Sequence, residues 1–406
     1  MMEDAPKQTI TIEKPDESLK REGSYPKLIN QGTFGCVYKP SFLCDGNTLK
    51  EEDYITKIQT KDTISQQEEI IGSQLQTLGN YDQHYAGIIE TCPIELSNIE
   101  DNELKKCDFL EKQVASETPQ EYVASTIKYV GKDDVIDYLI TKINKPQQYL
   151  MSLFHIHYHL LKALEQLRGS NIIHYDLKAN NIMIHDVKKI PIVIDFGISF
   201  QGETKPDVME GRDAFYVYGP DYTPWCLDIH LISYMFHKLE SETPLQEIIQ
   251  EEQVQEVVKD YMTTNPTLSL LTNTEKSEMN ESWSQYLSNY KGQQWSNLYD
   301  ALWEARWSWD NYAVTTMMLR YTRGEFKIKE NEMNQDYVKL LKQIIKASPD
   351  TRLDAEHSKK ELLEVMKMTK QQKRELIKMS KEKMLKDRQQ NMLRHKQQSL
   401  LESRHT

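Results

Sequence analysis

The stretch His174-Tyr175-Asp176-Leu177-Lys178-Ala179-Asn180-Asn181 carries an aspartate, a lysine two residues on and an asparagine three further. A carboxylate can take the proton of a hydroxyl, an ammonium can neutralise a moving phosphoryl group, and an amide oxygen can hold a hard divalent cation. Apolar Ile172, Ile173, Ile182, Met183 and Ile184 flank the segment, so it reads as a polar loop between buried strands rather than a surface turn. A second carboxylate, Asp195, ends the apolar run 190–194 and precedes Phe196-Gly197. There it offers a hard oxygen on a hinge-like turn. Upstream, Asn30-Gln31-Gly32-Thr33-Phe34-Gly35-Cys36-Val37-Tyr38 sets two glycines three apart between strand-like flanks. Such a hairpin is usually only a turn, but it also lets backbone N–H groups lie close over an anion.

The elements that must position these groups follow a simple order. Residues 25–60 read as short strands and 63–78 as a helix. Residues 98–120 read as an inserted polar loop, and 118–134 return to strand-like composition. A long helix is expected from Pro146 to Arg168 with Gly169 as its stop. Strand fragments follow around the polar loop, and the chain beyond Asp228 reads as helical. The expected fold class is α+β, a small β-rich part followed by a larger helical one.

Together, in this order, the three segments resemble the signature set of eukaryotic-type serine/threonine protein kinases. The resemblance spans residues 25–355 and implies a two-lobed protein-kinase-like fold. It divides the chain into a disordered segment 1–24, an N-lobe 25–130, a C-lobe 131–355 and a basic helical tail 356–406. It implies ATP and Mg²⁺ as cofactors and a protein as substrate. Asn30, Gly32, Gly35 and Val37 would then cover the ATP phosphates. Lys57, in Tyr54-Ile55-Thr56-Lys57-Ile58, would pair with the α- and β-phosphates and with Glu68, for which Glu69 is the competitor. Asp176 would orient and deprotonate the acceptor hydroxyl, Lys178 would steady the transferring group, and Asn181 and Asp195 would hold Mg²⁺. The Lys178 context favours Ser/Thr over Tyr acceptors. Asp228 resembles the buried aspartate that holds the catalytic-loop backbone, and Ser348–Arg352 resembles the last turn of the fold. The alternatives are a pseudokinase scaffold and a small-molecule phosphotransferase of the same fold.

Departures from the family pattern are informative. Asn30 stands where the first loop glycine is usual; Asn tolerates positive φ, so the turn can survive. Tyr175 replaces the arginine that commonly pairs with a phosphorylated activation loop. No Ala-Pro-Glu is present; Tyr222-Thr223-Pro224-Trp225 precedes Asp228 instead, which leaves Arg352 without its usual glutamate. With the segments at 131–139 and 218–236, these departures resemble the kinases of large nucleocytoplasmic DNA viruses, the poxvirus virion kinase among them.

Composition sets further bounds. Of 406 residues, 38% are hydrophobic and the net charge is −12. Residues 359–406 hold 14 Lys/Arg against 6 Asp/Glu, a local +8 on an otherwise acidic chain. The acidic body disfavours non-specific nucleic-acid binding, while the basic tail suits an anionic partner or surface. Apolar pairs from Leu376/Ile377 to Leu400/Leu401 recur every eight residues, which is not a coiled-coil period. Five scattered cysteines without a CxxC pair argue against a disulfide framework or a zinc site, hence for a reducing, intracellular (cytoplasmic) setting, virion-associated if the chain is viral. No signal-peptide pattern or membrane span is evident. His155 and His159, one helical turn apart, read as helix positions rather than metal ligands, and the tryptophan-rich run 295–309 as core. Because Tyr175 cannot pair with a phosphate as arginine does, phosphatase treatment should leave activity unchanged. A large loss, restored by rephosphorylation between Ser199 and Thr223, would overturn this.

Overall fold

The computed structural model describes residues 26–32, 35–42, 44, 53–114, 120–324 and 332–366. They fall into two compact units, one drawn from residues up to Lys61 plus Glu90–Tyr129, the other from Asp62–Ile89 plus the chain from Val130 on. In chain order, β1 (Lys27–Gly32), β2 (Gly35–Lys39) and β3 (Tyr54–Thr60) precede α1 (Thr63–Gln76). Next come β4 (Tyr85–Ala86), β5 (Ile88–Ile94), α2 (Asp101–Leu104), α3 (Asp108–Val114) and β6 (Tyr122–Lys128). Then α4 (Val135–Ile140), α5 (Pro146–Gly169), β7 (Ile172–Ile173), β8 (Ile182–Ile184), β9 (Pro191–Ile194) and β10 (Phe200–Gln201) follow. The remainder is helical: α6 (Val208–Ala214), α7 (Leu227–His237), α8 (Glu251–Thr264), α9 (Asn273–Ser288), α10 (Trp295–Glu304), α11 (Trp309–Leu319), α12 (Glu332–Lys346) and α13 (Ala355–Val365). The α+β class is as the sequence implied.

The first unit is a five-stranded sheet in the order β1-β2-β3-β6-β5. Gly32 faces Gly35 across the β1–β2 hairpin, and Val37 on β2 lies opposite Lys57 on β3. Gly35 is a packing glycine. A Cβ there would sit 2.4 Å from the carbonyl oxygen of Ile58, too close for any side chain. Asn30 needs no positive φ: it pairs with Val37 after a register shift, and its side chain accepts the Gln31 N–H.

Two cysteine pairs correct the sequence expectation. Cys36 on β2 is disulfide-bonded to Cys107, between α2 and α3, and Cys44 to Cys92 on β5. The partners lie 71 and 48 residues apart, so only sheet pairing brings them together and no local spacing announces them. The argument for a reducing setting therefore loses its premise. The expected loop at 98–120 is helical over 101–104 and 108–114 and is stapled to the sheet through Cys107. Its core is small, built on Cys36, Tyr38, Ile58, Ile99, Cys107 and Leu110.

In the second unit, Pro146 presets the first turn of α5, and Leu153, Phe154, His157, Leu160, Leu161, Leu164 and Leu167 bury one stripe along it. The unit's core includes Trp283, Trp295, Trp303 and Trp309, so the tryptophan-rich run is packing, as expected. His157 is buried and His159 partly buried, and this desolvation pulls both imidazoles down to about 3 and keeps them neutral. Among the described residues no cluster of three or more His, Cys, Asp or Glu could hold a metal, and no helix is long and apolar enough to cross a membrane.

Helix α13 opens the segment read as tail, yet it packs on α5. Leu362 is fully buried, Lys359 pairs with Glu165, and Arg168 pairs with Asp354 at 2.5 Å. The turn at Ser348–Arg352 is thus not the last of the unit. The N-terminal segment 1–24 and the apolar pairs from residue 376 on lie outside the described residues. A chain ending at residue 366 keeps all of α13 and serves as the reference. One ending at 358 loses Leu362 and should fall by at least the ~2–5 kcal/mol typical of a large core truncation, read from a denaturant midpoint.

Candidate active site

The polar loop 174–181 is held at both ends by short strands. β7 pairs with β10, and β8 pairs antiparallel with β9, setting Ile182 opposite Val193. This register places Asn181, just before β8, near the end of β9, where Asp195 follows. Asp195 adopts φ +62° and Tyr175 φ +70°. Non-glycine residues rarely adopt such angles, and they persist only where the surroundings enforce them.

The enforcing group is Asp310 at the start of α11. Its Oδ2 accepts the His174 N–H (2.8 Å) and its Oδ1 the Tyr175 N–H (2.9 Å). Burial pushes the Asp310 carboxyl up, while His174 and the two N–H bonds pull against that shift. His174 extends the frame. Its Nδ1 accepts the Asp176 N–H at 3.3 Å, so Nε2 carries the proton and donates to the Ile194 carbonyl at 3.1 Å. Ser199 Oγ donates to the His174 carbonyl at 3.0 Å. The loop is therefore tied to the residue before Asp195.

Within this frame Asp176, Lys178 and Asn181 converge. Lys178 Nζ lies 2.8 Å from Asp176 Oδ2. Asn181 Nδ2 donates to both the backbone oxygen and Oδ2 of Asp176 at 2.9 Å. That arrangement fixes the amide so that its Oδ1 is the remaining acceptor. The Tyr222 hydroxyl donates to Asp176 Oδ1. Burial and then the Asp176 charge push the Tyr222 phenol well above its ordinary range, so it remains a donor.

On α1, Glu68 is buried at 2% exposure while Glu69 is exposed, which favours Glu68 as the inward residue. Its Oε2 lies 3.9 Å from where a Gly197 Cβ would stand, and Asp195 Oδ1 3.4 Å from it. Glu68 thus faces the Asp195–Gly197 turn. Asn30, Gly32, Gly35, Val37 and Lys57 belong to the sheet unit, where Lys57 is a buried strand residue at 9% exposure. Thr33 and Phe34 lie outside the described residues.

Two expectations are corrected. Asp228 does not hold the catalytic-loop backbone; Asp310 does. Asp228 instead pairs with Arg352 at 2.6 Å, with both side chains essentially inaccessible. Burial works against the Arg352 charge, but Asp228 overrides it and holds the guanidinium charged. Arg352 therefore has an acidic partner. The signal for Asp310 was present in Trp309-Asp310-Asn311, obscured because α7–α10 separate it from Asp228. Tyr222 and Trp225 were also missed as site residues. Trp225 donates to the Tyr175 carbonyl at 2.9 Å, and the Tyr175 ring packs against Phe200, Phe215 and Trp225. An aromatic cluster thus stands where an arginine–phosphate pair was absent from the sequence.

The model of the protein kinase domain matches residues 25–364. The chain belongs to the protein kinase family. The match supports phosphotransfer to proteins with ATP as donor, and it includes most of α13. No curated protein matches the kinase's sequence. In this kinase, Arg352→Leu alone should cost about 3–5 kcal/mol, because it leaves Asp228 charged, buried and unpaired. Adding Asp228→Leu should recover most of that loss. Chemical denaturation of the two single variants and the double variant checks this.

Proposed function

We propose that the chain is a Mg²⁺-dependent serine/threonine protein kinase. The observation that carries the reading is the hydroxyl of Tyr222 on Asp176 Oδ1. The carboxylate is held by Lys178 and Asn181 so that its other oxygen accepts a hydroxyl proton, the task it would perform for an acceptor hydroxyl. In transfer, the substrate hydroxyl attacks the γ-phosphorus as the bond to the β-phosphate oxygen breaks, and Asp176 takes the proton. Lys178 offsets charge on the moving group. Lys57 and the Gly32–Gly35 hairpin are assigned to the ATP phosphates. Lys178, two residues after Asp176, supports Ser/Thr rather than Tyr acceptors.

The residues present suit the metal. The Asn181 amide is turned by its two Nδ2 bonds so that Oδ1 is left as a hard acceptor, and the Asp195 carboxylate follows directly after β9. One or two such ligands plus phosphate oxygens are typical of Mg²⁺. The metal supplies neutralisation of phosphate charge, and this chain supplies the two side chains that would hold it.

The test is transfer of labelled γ-phosphate from ATP to casein, with and without chelator, followed by phosphoamino-acid analysis. Phosphoserine and phosphothreonine are expected, with loss on chelation; label found only on sugars or aminoglycosides would overturn the reading. Asp176→Asn should reduce turnover by ~10²–10⁴ while nucleotide binding persists. Lys57→Met should also reduce turnover sharply.

A further inference from the structure

Cys36 and Val37 are consecutive on β2, so their side chains leave the sheet on opposite faces. Val37 lies opposite Lys57, the residue assigned to the ATP phosphates, and Cys36 lies opposite Ile58. The Cys36–Cys107 disulfide therefore stands on the reverse face, one residue beyond Gly35 of the hairpin. The segment carrying α2 and α3 packs on that face and holds the hairpin at three points. Glu103 accepts the Leu28 N–H on β1 at 2.9 Å. Cys107 is bonded to Cys36 on β2. Gln31, beside Gly32 on β1, accepts the Asp108 N–H at 2.9 Å and donates to the Asp108 carboxylate at 3.3 Å.

These three points are unequal. The Gln31–Asp108 bonds are exposed, so water competes for both partners and each contributes little. Glu103 acts at Leu28, towards the start of β1 and away from the glycines. The core beneath consists of Cys36, Tyr38, Ile58, Ile99, Cys107 and Leu110, so the two cysteines are themselves part of it. Helices α2 and α3 span only four and seven residues, too short to stand alone. The grip near Gly35 thus depends chiefly on the covalent bond. The second disulfide is placed otherwise. It joins Cys44 to Cys92 on β5, the edge strand farthest from β1. Cys92 is half-buried, whereas Cys36 and Cys107 are both fully enclosed. A small dithiol meets Cys44–Cys92 first.

We propose that Cys36–Cys107 is a redox lock on the ATP hairpin. Closed, it holds the hairpin in the conformation that covers the phosphates, and less ordering is left to be done when ATP binds. Open, it releases the segment from β2, and ATP binds more weakly. Opening consumes a dithiol, whose two sulfurs join in a disulfide while Cys36 and Cys107 each gain a hydrogen. Closing passes those two hydrogens and two electrons to a small disulfide such as oxidised glutathione, which leaves as two thiols. The inference rests on the protein kinase reading and concerns the regulation of that same site.

The test titrates the oxidised full chain with dithiothreitol. Alkylation and peptide mass spectrometry map which bonds are open at each step, and casein phosphorylation gives KM for ATP and kcat. Opening Cys44–Cys92 should leave KM unchanged. Opening Cys36–Cys107 should raise KM about tenfold, equivalent to ~1.4 kcal/mol, with kcat within about twofold, and oxidised glutathione should restore it. The double variant Cys44→Ser, Cys92→Ser should keep this response. Cys107→Ser should be fixed at the high KM and ignore dithiothreitol. Melting curves keep every assay below the lowest transition, and the titration of the unmutated chain decides the matter if Cys107→Ser does not fold. The lock is refuted if KM stays constant once Cys36–Cys107 is open, since the bond is then a structural staple only. It is equally refuted if kcat falls with the fold while KM does not move, or if oxidised glutathione yields no Cys36–Cys107 bond. If the chain with both disulfides mapped phosphorylates no protein, the kinase reading fails first and the lock with it.

Discussion

Two backbone N–H groups, those of His174 and Tyr175, turn inward in the catalytic loop and require an acceptor. The Asp310 carboxylate supplies it with one oxygen for each. A buried carboxylate is costly by itself, and buried N–H groups without a partner are costly too. Together they satisfy each other through charge-assisted bonds. The loop can then hold Tyr175 at positive φ and present Asp176, Lys178 and Asn181 on one side. His174 carries the same order to β9 through the Ile194 carbonyl, so the geometry at Asp195 depends on the clamp as well.

A buried charge pair, Asp228 with Arg352, ties the end of the activation segment to the turn before α13. Arg352 also lies over the rings of Trp283 and Tyr312, at 5.9 and 5.5 Å. Between Asp228 and Asp310 the chain makes α7–α10, whose tryptophans fill the core. The activation segment is gripped by aromatic packing around Tyr175 rather than by a cation waiting for a phosphate. Dispersion and burial need no modification to act, so this grip is built into the folded state.

The sheet unit is organised differently. Few apolar side chains pack beneath its hairpin, and small cores leave little margin. Two disulfides supplement them by constraining the unfolded chain, and one of them, Cys36–Cys107, fastens the α2–α3 segment to β2. Cys226, in the other unit, stays a free thiol; burial raises its pKa and suppresses its reactivity.

The candidate constellation was legible because it is local. Asp176, Lys178 and Asn181 lie within six residues of one another, Asp195 ends an apolar strand, and α5 announces itself by its stripe between Pro146 and Gly169. The inward face of α1 was readable from its apolar register, although only burial separated Glu68 from Glu69. What the sequence could not yield were pairings across long separations. Asp310 meets His174 across 136 residues and Arg352 meets Asp228 across 124, while the cysteine partners lie 71 and 48 apart. Asp228 in its apolar helix and Asp310 among tryptophans look alike as strings, since both are acids in buried surroundings. Their roles were decided by which unpaired donor the folded chain brought to each: two backbone N–H groups for Asp310, a guanidinium for Asp228. A buried charge is tolerated only where a partner meets it, and in this chain tertiary packing chose the partner.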